Sequence, residues 1–360
     1  EMAIIDNMPR SATVLALEDC VLLTLTNGQI AHRVESADPV VRLILDVLLT
    51  RFRDTLSGLG ADMGTDTGAD KGLTAAVVGP VPNVDVHRIE ALAQMRLEGE
   101  IEAGIKNREF ELHFQPIVRL RDGQTAGFEA LVRWRHAERG LVPPVAFIPA
   151  AEASGLIVPL GDWCLRQACA SLRAFRQTLP PDRPLFVSVN ISGIELQRPD
   201  FFDRYREILD EAGARPEDIK LEVTESVLMK DPEQVTETLT ACRALGSTIA
   251  LDDFGTGYSS LSYLNRFPID TLKIDRSFIQ ALNTDRASHN IVNAIVALGW
   301  GLDIPTVAEG IESADDADAL LAIGCAFGQG YHFSRPVAER EAIRFLRAGG
   351  RPGQTALGAG

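Results

Sequence analysis

The sequence predicts an α/β protein built around a (β/α)8, TIM-like barrel with an antiparallel first strand, preceded by a small β plus helix segment. Three observations predict it. Between residues 85 and 348, eight strand-like runs alternate with amphipathic helical stretches. Polar residues gather where those runs end, as they do at the C-terminal mouth of such a barrel. The first two runs are joined only by "RLRDGQT", with Asp122-Gly123 as a hairpin turn, so this pair is expected to be antiparallel.

The elements follow in order. In residues 1–59, "SATVLALEDCVLLTLT" alternates like strand material, with a turn at Glu18-Asp19. After Asp38-Pro39, an N-cap and first helical position, Val41, Ile44, Leu48, Phe52 and Leu56 recur at helical spacing. Leu45 and Leu49 widen that stripe, which must pack on something, a partner's copy included. Residues 60–84 are rich in Gly, Asp and Thr without periodicity and read as a flexible linker. In the barrel segment, 85–348, the strands are expected in "FELHFQPIV", "AGFEALVRW", "LFVSVNIS", "IKLEVTES", "TIALDDF", "TLKIDRSF", "IPTVAEGI" and "AFGQGYHF". Helices such as "DFFDRYREILDEAG" and "DPEQVTETLTACRALG" lie between them. The tail, 349–360, is expected to be disordered.

Composition narrows the partners. A formal net charge of −15 gives a bulk field that does not attract DNA or anionic lipid. A phosphate ligand would need cations concentrated locally, as metal or as a few Lys and Arg. No apolar run approaches the length of a bilayer span. The chain opens on Glu1 with no signal-peptide pattern and reads as an excised piece of a longer protein. Its five cysteines, Cys20, Cys164, Cys169, Cys242 and Cys325, are odd in number and form no Cys-x-x-Cys pair. That indicates neither a disulfide framework nor a zinc site, and fits a reducing cytoplasm. Cys164 and Cys169 lie in an apolar helical stretch and read as buried thiols.

The strand ends carry the chemistry. They bring Glu129 and Arg133, Asn190, Glu222 and Glu225, Asp252 and Asp253, Lys273 and Asp275, Glu309, and Gln329. The set is rich in oxygen donors and lacks Cys or clustered His, which selects Mg²⁺ or Mn²⁺ over zinc. Adjacent side chains at a strand end diverge, so Asp252 could serve two metals while Asp253 binds only the second. Gly255 and Gly257 let the next loop bend close to the site. Two metals suit in-line attack on phosphate. Each residue alone has a plainer reading. Glu225 could cap the helix after its strand, Asp275 could pair with Arg276, and Lys273 could be solvated. Together, so many unpaired carboxylates at one mouth would be costly without cations.

Residues 92–345 resemble the EAL domain, the cyclic di-GMP phosphodiesterase family. Glu129-Ala130-Leu131 in "FEALVRW" is its name motif. "FQPIV", "VSVNIS", "LEVTES", "DDFGTGYSSLSYL", "LKIDRSFI", "VAEGIE" and "GQGYHFSRP" are its other blocks. The resemblance implies hydrolysis of cyclic di-GMP to linear pGpG with two Mg²⁺ or Mn²⁺, Ca²⁺ being inhibitory. It implies that Glu129, Asn190, Glu222 and Asp252 ligate the first metal, and that Asp252, Asp253 and Glu309 serve the second. Lys273 would hold or deprotonate the attacking water, and Gln329 would orient it or the substrate. Gln115, Leu131 and Arg133 would bind substrate, with Asp275 and Glu312 beside the site. Glu225 would fix the Asp252–Ser260 loop. Degenerate members bind the nucleotide without cleaving it, so a catalytically silent cyclic di-GMP receptor is the alternative. Another metal-dependent barrel enzyme is a third reading. A homodimer through the barrel and the N-terminal helix is expected.

The first segment, "EMAIIDNMPRSATVLALEDCVLLTL", resembles the phosphate-binding cassette and last strands of the cyclic nucleotide-binding fold. By that resemblance Glu1 would meet a ribose hydroxyl, and Arg10 with Ser11 a cyclic phosphate. The early strands of that fold are missing from this chain, so a remnant that packs through its helix is the favoured expectation.

Overall fold

The computed structural model describes residues 82–255 and 266–348, and five helical positions at 41, 44, 45, 47 and 48. The strands expected in residues 1–40, the segment 60–81, the tail 349–360 and the nucleotide contacts Glu1, Arg10 and Ser11 lie outside the described residues. The chain divides into two compact units, Glu1–Ile101 and Glu102–Gly360. In the first, Val41, Ile44 and Leu48 of the expected apolar stripe are helical and exposed. A helix spanning Pro82–Asn107 crosses the division. It opens inside the stretch expected to be linker, because Pro82 fits a first helical position where no N–H is needed. Gln94 to Glu98 and Arg96 to Glu100 hydrogen bonds lace its exposed side at i,i+4 spacing.

Among the described residues the second unit has ten strands. They are β1 (Phe110–Arg119), β2 (Gln124–His136), β3 (Gly140–Val142), β4 (Phe186–Asn190) and β5 (Ile219–Thr224), then β6 (Thr248–Phe254), β7 (Thr271–Ile274), β8 (Thr306–Ala308), β9 (Phe327–Gly328) and β10 (Val337–Ala338). Eight of them close a barrel in the order β1-β2-β4-β5-β6-β7-β8-β9, with β9 returning to β1. From β2 to β9 every neighbour is parallel. β1 is antiparallel to both its neighbours, as the short connection predicts. Gly123 makes that turn with φ of +67°, and Arg119 donates to Asp122 across it at 3.0 Å. β3 and β10 are additions that the sequence pattern does not reveal: each pairs over only two or three residues.

Period-two alternation sorts side chains between core and mouth. Phe114 of β1 and Phe128 of β2 are fully buried and meet Phe175 of the Ile157–Arg176 helix, with ring centroids 5.0 to 6.5 Å apart. Gln115 and Glu129, one residue on from each, are register partners. Helices end where the sequence supplies a stop. Phe201–Ala212 closes on Gly213 in the left-handed region, and Pro232–Leu245 starts after Asp231, whose carboxylate accepts from Gln234 N–H. The expected strand "TLKIDRSF" shortens to four residues because Asp275 accepts from Ser277 N–H and turns the chain into the Arg276–Gln280 helix.

Candidate active site

Strand pairing aligns the polar residues before any tertiary contact is considered. Gln115 lies opposite Glu129, Asn190 opposite Glu222, and Thr224 opposite Asp252. Glu129, Leu131 and Arg133 stand two apart on β2 and therefore face one side.

Lys273 is the centre of the cluster. It is 1% exposed, and its Nζ sits 2.6 Å from Glu222 Oε2, 2.6 Å from Glu309 Oε1, 3.1 Å from Asp252 Oδ1 and 3.8 Å from Glu129 Oε2. Gln329 Nε2 donates to Glu129 Oε2 at 2.5 Å and to Gln115 Oε1 at 2.9 Å, and Asn190 Nδ2 donates to Glu129 Oε1 at 2.9 Å. Gln115 in turn donates to the Ser334 carbonyl at 3.1 Å. Eight side chains from eight places in the chain, with the Ser334 carbonyl, thus form one connected network. The plainer reading of Lys273 as solvated is excluded by its burial.

The charges do not balance. One ammonium faces four carboxylates within 4 Å. Glu222 Oε1 and Gln329 Oε1 are buried with no hydrogen-bond partner. Burial pushes the Glu222 carboxyl well above the usual range, and burial with neighbouring carboxylates lifts Glu309 to about 8. Burial alone would raise Glu129 as well, but Lys273 and the amide donors Gln329 and Asn190 hold it below its ordinary value. Burial opposes the charge on Lys273, yet the surrounding carboxylates raise it well above the usual lysine value. Orphaned acceptors and an excess of oxygen donors are what a cation would complete.

The adjacent aspartates do not diverge as expected. The register of β6 against β7 slips between Leu251 and Phe254, and Asp253 sits in the left-handed region at φ of +54°. This bulge swings Asp253 back toward its neighbour. Asp252, Asp253 and Glu309 each offer an oxygen within 4.8 Å of the others and could hold a metal ion. Burial and the Asp252 charge raise the Asp253 carboxyl. Gly255 follows at φ of +100°, where a side chain would be strained, and its Cβ would stand 3.0 Å from Phe278.

The remaining expected residues are placed unevenly. Arg133 is half-buried, donates to the Val132 carbonyl at 2.8 Å, and feels the Glu129 charge without forming a salt bridge among the described residues. Leu131 lines a cavity of about 310 Å³ together with Asn190 and Glu222. Asp275 is spent on capping the Arg276–Gln280 helix, through Ser277 N–H at 3.0 Å and Ser277 Oγ at 2.5 Å, and not on pairing with Arg276. Glu312 is exposed in the turn after β8. Glu225 is not a helix cap: Thr224 occupies that position, Glu225 begins the Glu225–Lys230 helix, and its Oε2 is buried without a partner. The loop it was expected to hold, from Thr256, lies outside the described residues.

Two carboxyl groups in the 310 Å³ cavity escape a reading of strand ends, because they sit on helices. Glu195 closes a capping box with Ser192, and Glu152 belongs to the Ile148–Ala153 helix. Glu195 is raised to about 7 by burial, with the Glu152 charge adding to the rise. A Cβ on residue 161 would lie 1.9 Å from Glu195 Oε1, so only glycine admits this carboxyl. The capping-box spacing Ser-x-x-Glu at 192–195 was the available signal.

Comparison with known proteins settles the family. The EAL domain family model matches residues 98–336. The chain belongs to the EAL-domain family. It is 42% identical over 260 residues to the cyclic di-GMP phosphodiesterase NbdA of Pseudomonas aeruginosa, covering 72% of this chain and 33% of that protein. The chain spans about a third of the length of the curated relatives it matches. Among solved structures, the EAL enzyme Bd1971 with cAMP and cyclic di-GMP bound is 38% identical with a TM-score of 0.78, over 96% of this chain and 86% of that one. The phosphodiesterase PaMucR in complex with c-di-GMP is 39% identical with a TM-score of 0.66, over 69% of this chain and 99% of that one. This EAL-domain chain has its name motif at Glu129-Ala130-Leu131, the first position of which is in the Lys273 network.

Proposed function

We propose that this EAL-domain chain hydrolyses cyclic di-GMP to linear pGpG with two divalent cations, Mg²⁺ or Mn²⁺. The observation that carries the reading is the buried excess of carboxylates around Lys273, with acceptors left over for a cation. Glu129, Asn190, Glu222 and Asp252 would hold one cation, and Asp252, Asp253 and Glu309 the other. Bound divalent cations supply charge that favours deprotonation of water and neutralises a developing phosphate oxyanion. The chain's own groups do the rest. The Lys273 ammonium donates to the attacking water and keeps it beside the carboxylates. Gln329, already bridging Glu129 and Gln115, orients water or substrate. Arg133, a half-buried cation held in no salt bridge among the described residues, takes a phosphate oxygen. Gln115 and Leu131 position the nucleotide, and the 310 Å³ cavity beside Leu131 has room for part of it. Glu225 steadies the loop after Asp253, with Asp275 and Glu312 at the rim.

Residues 1–59 are read as the last part of a cyclic nucleotide-binding fold, acting as a remnant. The exposed Val41, Ile44 and Leu48 support association of two copies through the first helix. Among the described residues no helix is long and apolar enough to cross a membrane. The test is incubation of the protein with cyclic di-GMP and Mg²⁺ followed by chromatography. Appearance of pGpG supports the enzyme. Binding without product under any metal condition supports the silent receptor.

A further inference from the structure

A second charged cleft lies at the opposite end of the barrel. Its volume is about 410 Å³, and it opens between the Ile157–Arg176 and Phe201–Ala212 helices. Arg183 and Leu185, whose carbonyls accept from Arg176 at 2.7 and 3.1 Å, precede β4, and Asp218 precedes β5. The cleft therefore stands at the N-terminal face, with the length of these strands between it and Asn190 and Glu222.

Three guanidinium groups border it, Arg173, Arg176 and Arg215. Two of them, Arg176 and Arg215, share one buried carboxylate. Asp218 accepts from Arg215 Nε at 3.0 Å and Nη2 at 2.9 Å, and it is also bonded to Arg176 Nη2. Glu217, exposed, reaches Arg215 only at 3.7 Å. Asp218 makes no bond to the third arginine, Arg173. Arg176 Nε is out of solvent with no partner, and Arg173, three residues earlier on the same helix, is exposed with no partner among the described residues. A chain with a net charge of −15 thus concentrates unneutralised positive charge in a concave place. The walls are otherwise apolar: Leu172, Leu179 and Ala214. Cys169, also in the wall, is raised by burial to about 12 and is no nucleophile at neutral pH.

We infer that this cleft is a binding site for a small organic carboxylate, its anionic end taken by Arg173 and its apolar body lying on Leu172 and Leu179. A planar carboxylate suits the fork of donors that guanidinium groups present, and the cleft is large enough for a ring system. The inference stands apart from the metal cluster and does not depend on what that cluster cleaves.

The test is calorimetric titration of the full chain, Mg²⁺ present, with 2-naphthoate. One saturable site is expected, and Arg173→Glu should weaken it at least tenfold while leaving the thermal melt and turnover of cyclic di-GMP unchanged. Arg215→Glu provides a second variant at the rim and should weaken binding in the same direction. 2-Naphthamide, equal in shape and uncharged, should not bind, and acetate should bind far more weakly than naphthoate. The inference is overturned by absence of saturable binding, by naphthamide or acetate binding as tightly as naphthoate, by affinity that survives Arg173→Glu, or by loss of binding in Glu129→Ala, which would place the probe at the mouth.

Discussion

The two ends of the barrel carry opposite imbalances of charge. At the C-terminal mouth one buried lysine faces four carboxylates, and Glu222 keeps an oxygen with no donor. At the N-terminal face one buried carboxylate serves two arginines, with a third arginine nearby that has no side-chain acceptor among the described residues. Burial makes the difference. The mouth carboxylates cannot shed their field into solvent, so they draw protons or cations. The arginines at the foot are partly exposed, so each costs little alone, and only their concave setting makes them a site. A strongly perturbed buried cluster points to chemistry, and a partly solvated one to recognition.

The comparison breaks first at Glu129. Glu129→Ala removes a carboxylate bonded to Gln329 and Asn190 and should lower hydrolysis by about a thousandfold or more, the scale of several kcal/mol of transition-state stabilisation. Steady-state rates on cyclic di-GMP check this, and near-normal turnover would remove Glu129 from the site. Replacing Mg²⁺ by Ca²⁺ should leave substrate binding and bring turnover close to background, because Ca²⁺ takes longer bonds and more ligands. Equilibrium binding and product formation, measured side by side, separate the two effects.

Lys273→Met sharpens the electrostatic claim. With EDTA present, removal of the ammonium bonded to the cluster should cost about 3–5 kcal/mol of stability, since buried carboxylates are left without a counter-charge. Added Mg²⁺ should recover much of that loss in a thermal melt. An unchanged melt in EDTA would mean that the carboxylates are not held by charge.

Glu195 offers a smaller, pH-dependent effect. Its folded pKa, about 7, is above the ordinary 4.5, so the folded protein binds more protons than the unfolded chain between those values. Stability from this group is complete below pH 4.5 and is lost as pH rises through 7, by at most about 3 kcal/mol. Glu195→Gln keeps the capping box with a neutral group and should flatten that part of the profile, leaving the variant more stable than the parent at pH 8. Melts from pH 5 to 8 check the sign. The smallest expected effect on the fold is Glu225→Ala. Because Thr224 holds the cap position, the melt should hardly move, while the Mg²⁺ concentration for half-maximal activity should rise. An unchanged metal titration would end the role given to Glu225.

The barrel was legible because its signals are local. Apolar runs mark β4, β5 and β6 nearly to the residue, and the short Asp122-Gly123 connection reveals the reversed first strand. The strand-end carboxylates were legible for the same reason. The bulge at Asp252-Asp253 was not. It depends on a register slip against β7 and on one positive φ, neither of which a pattern of apolar residues encodes. Nor were Glu195 and Glu152 legible as a pair, since they come together through helix packing over a glycine. β3 and β10 are too short to show alternation.

The most direct test of the central claim, that the mouth carboxylates exist to hold divalent cations for phosphodiester cleavage, is a metal titration of cyclic di-GMP hydrolysis in EDTA-stripped protein. No pGpG is expected without divalent metal, and Mg²⁺ or Mn²⁺ should restore its formation. Metal-independent turnover, or no turnover at any Mg²⁺ or Mn²⁺ concentration, would contradict it.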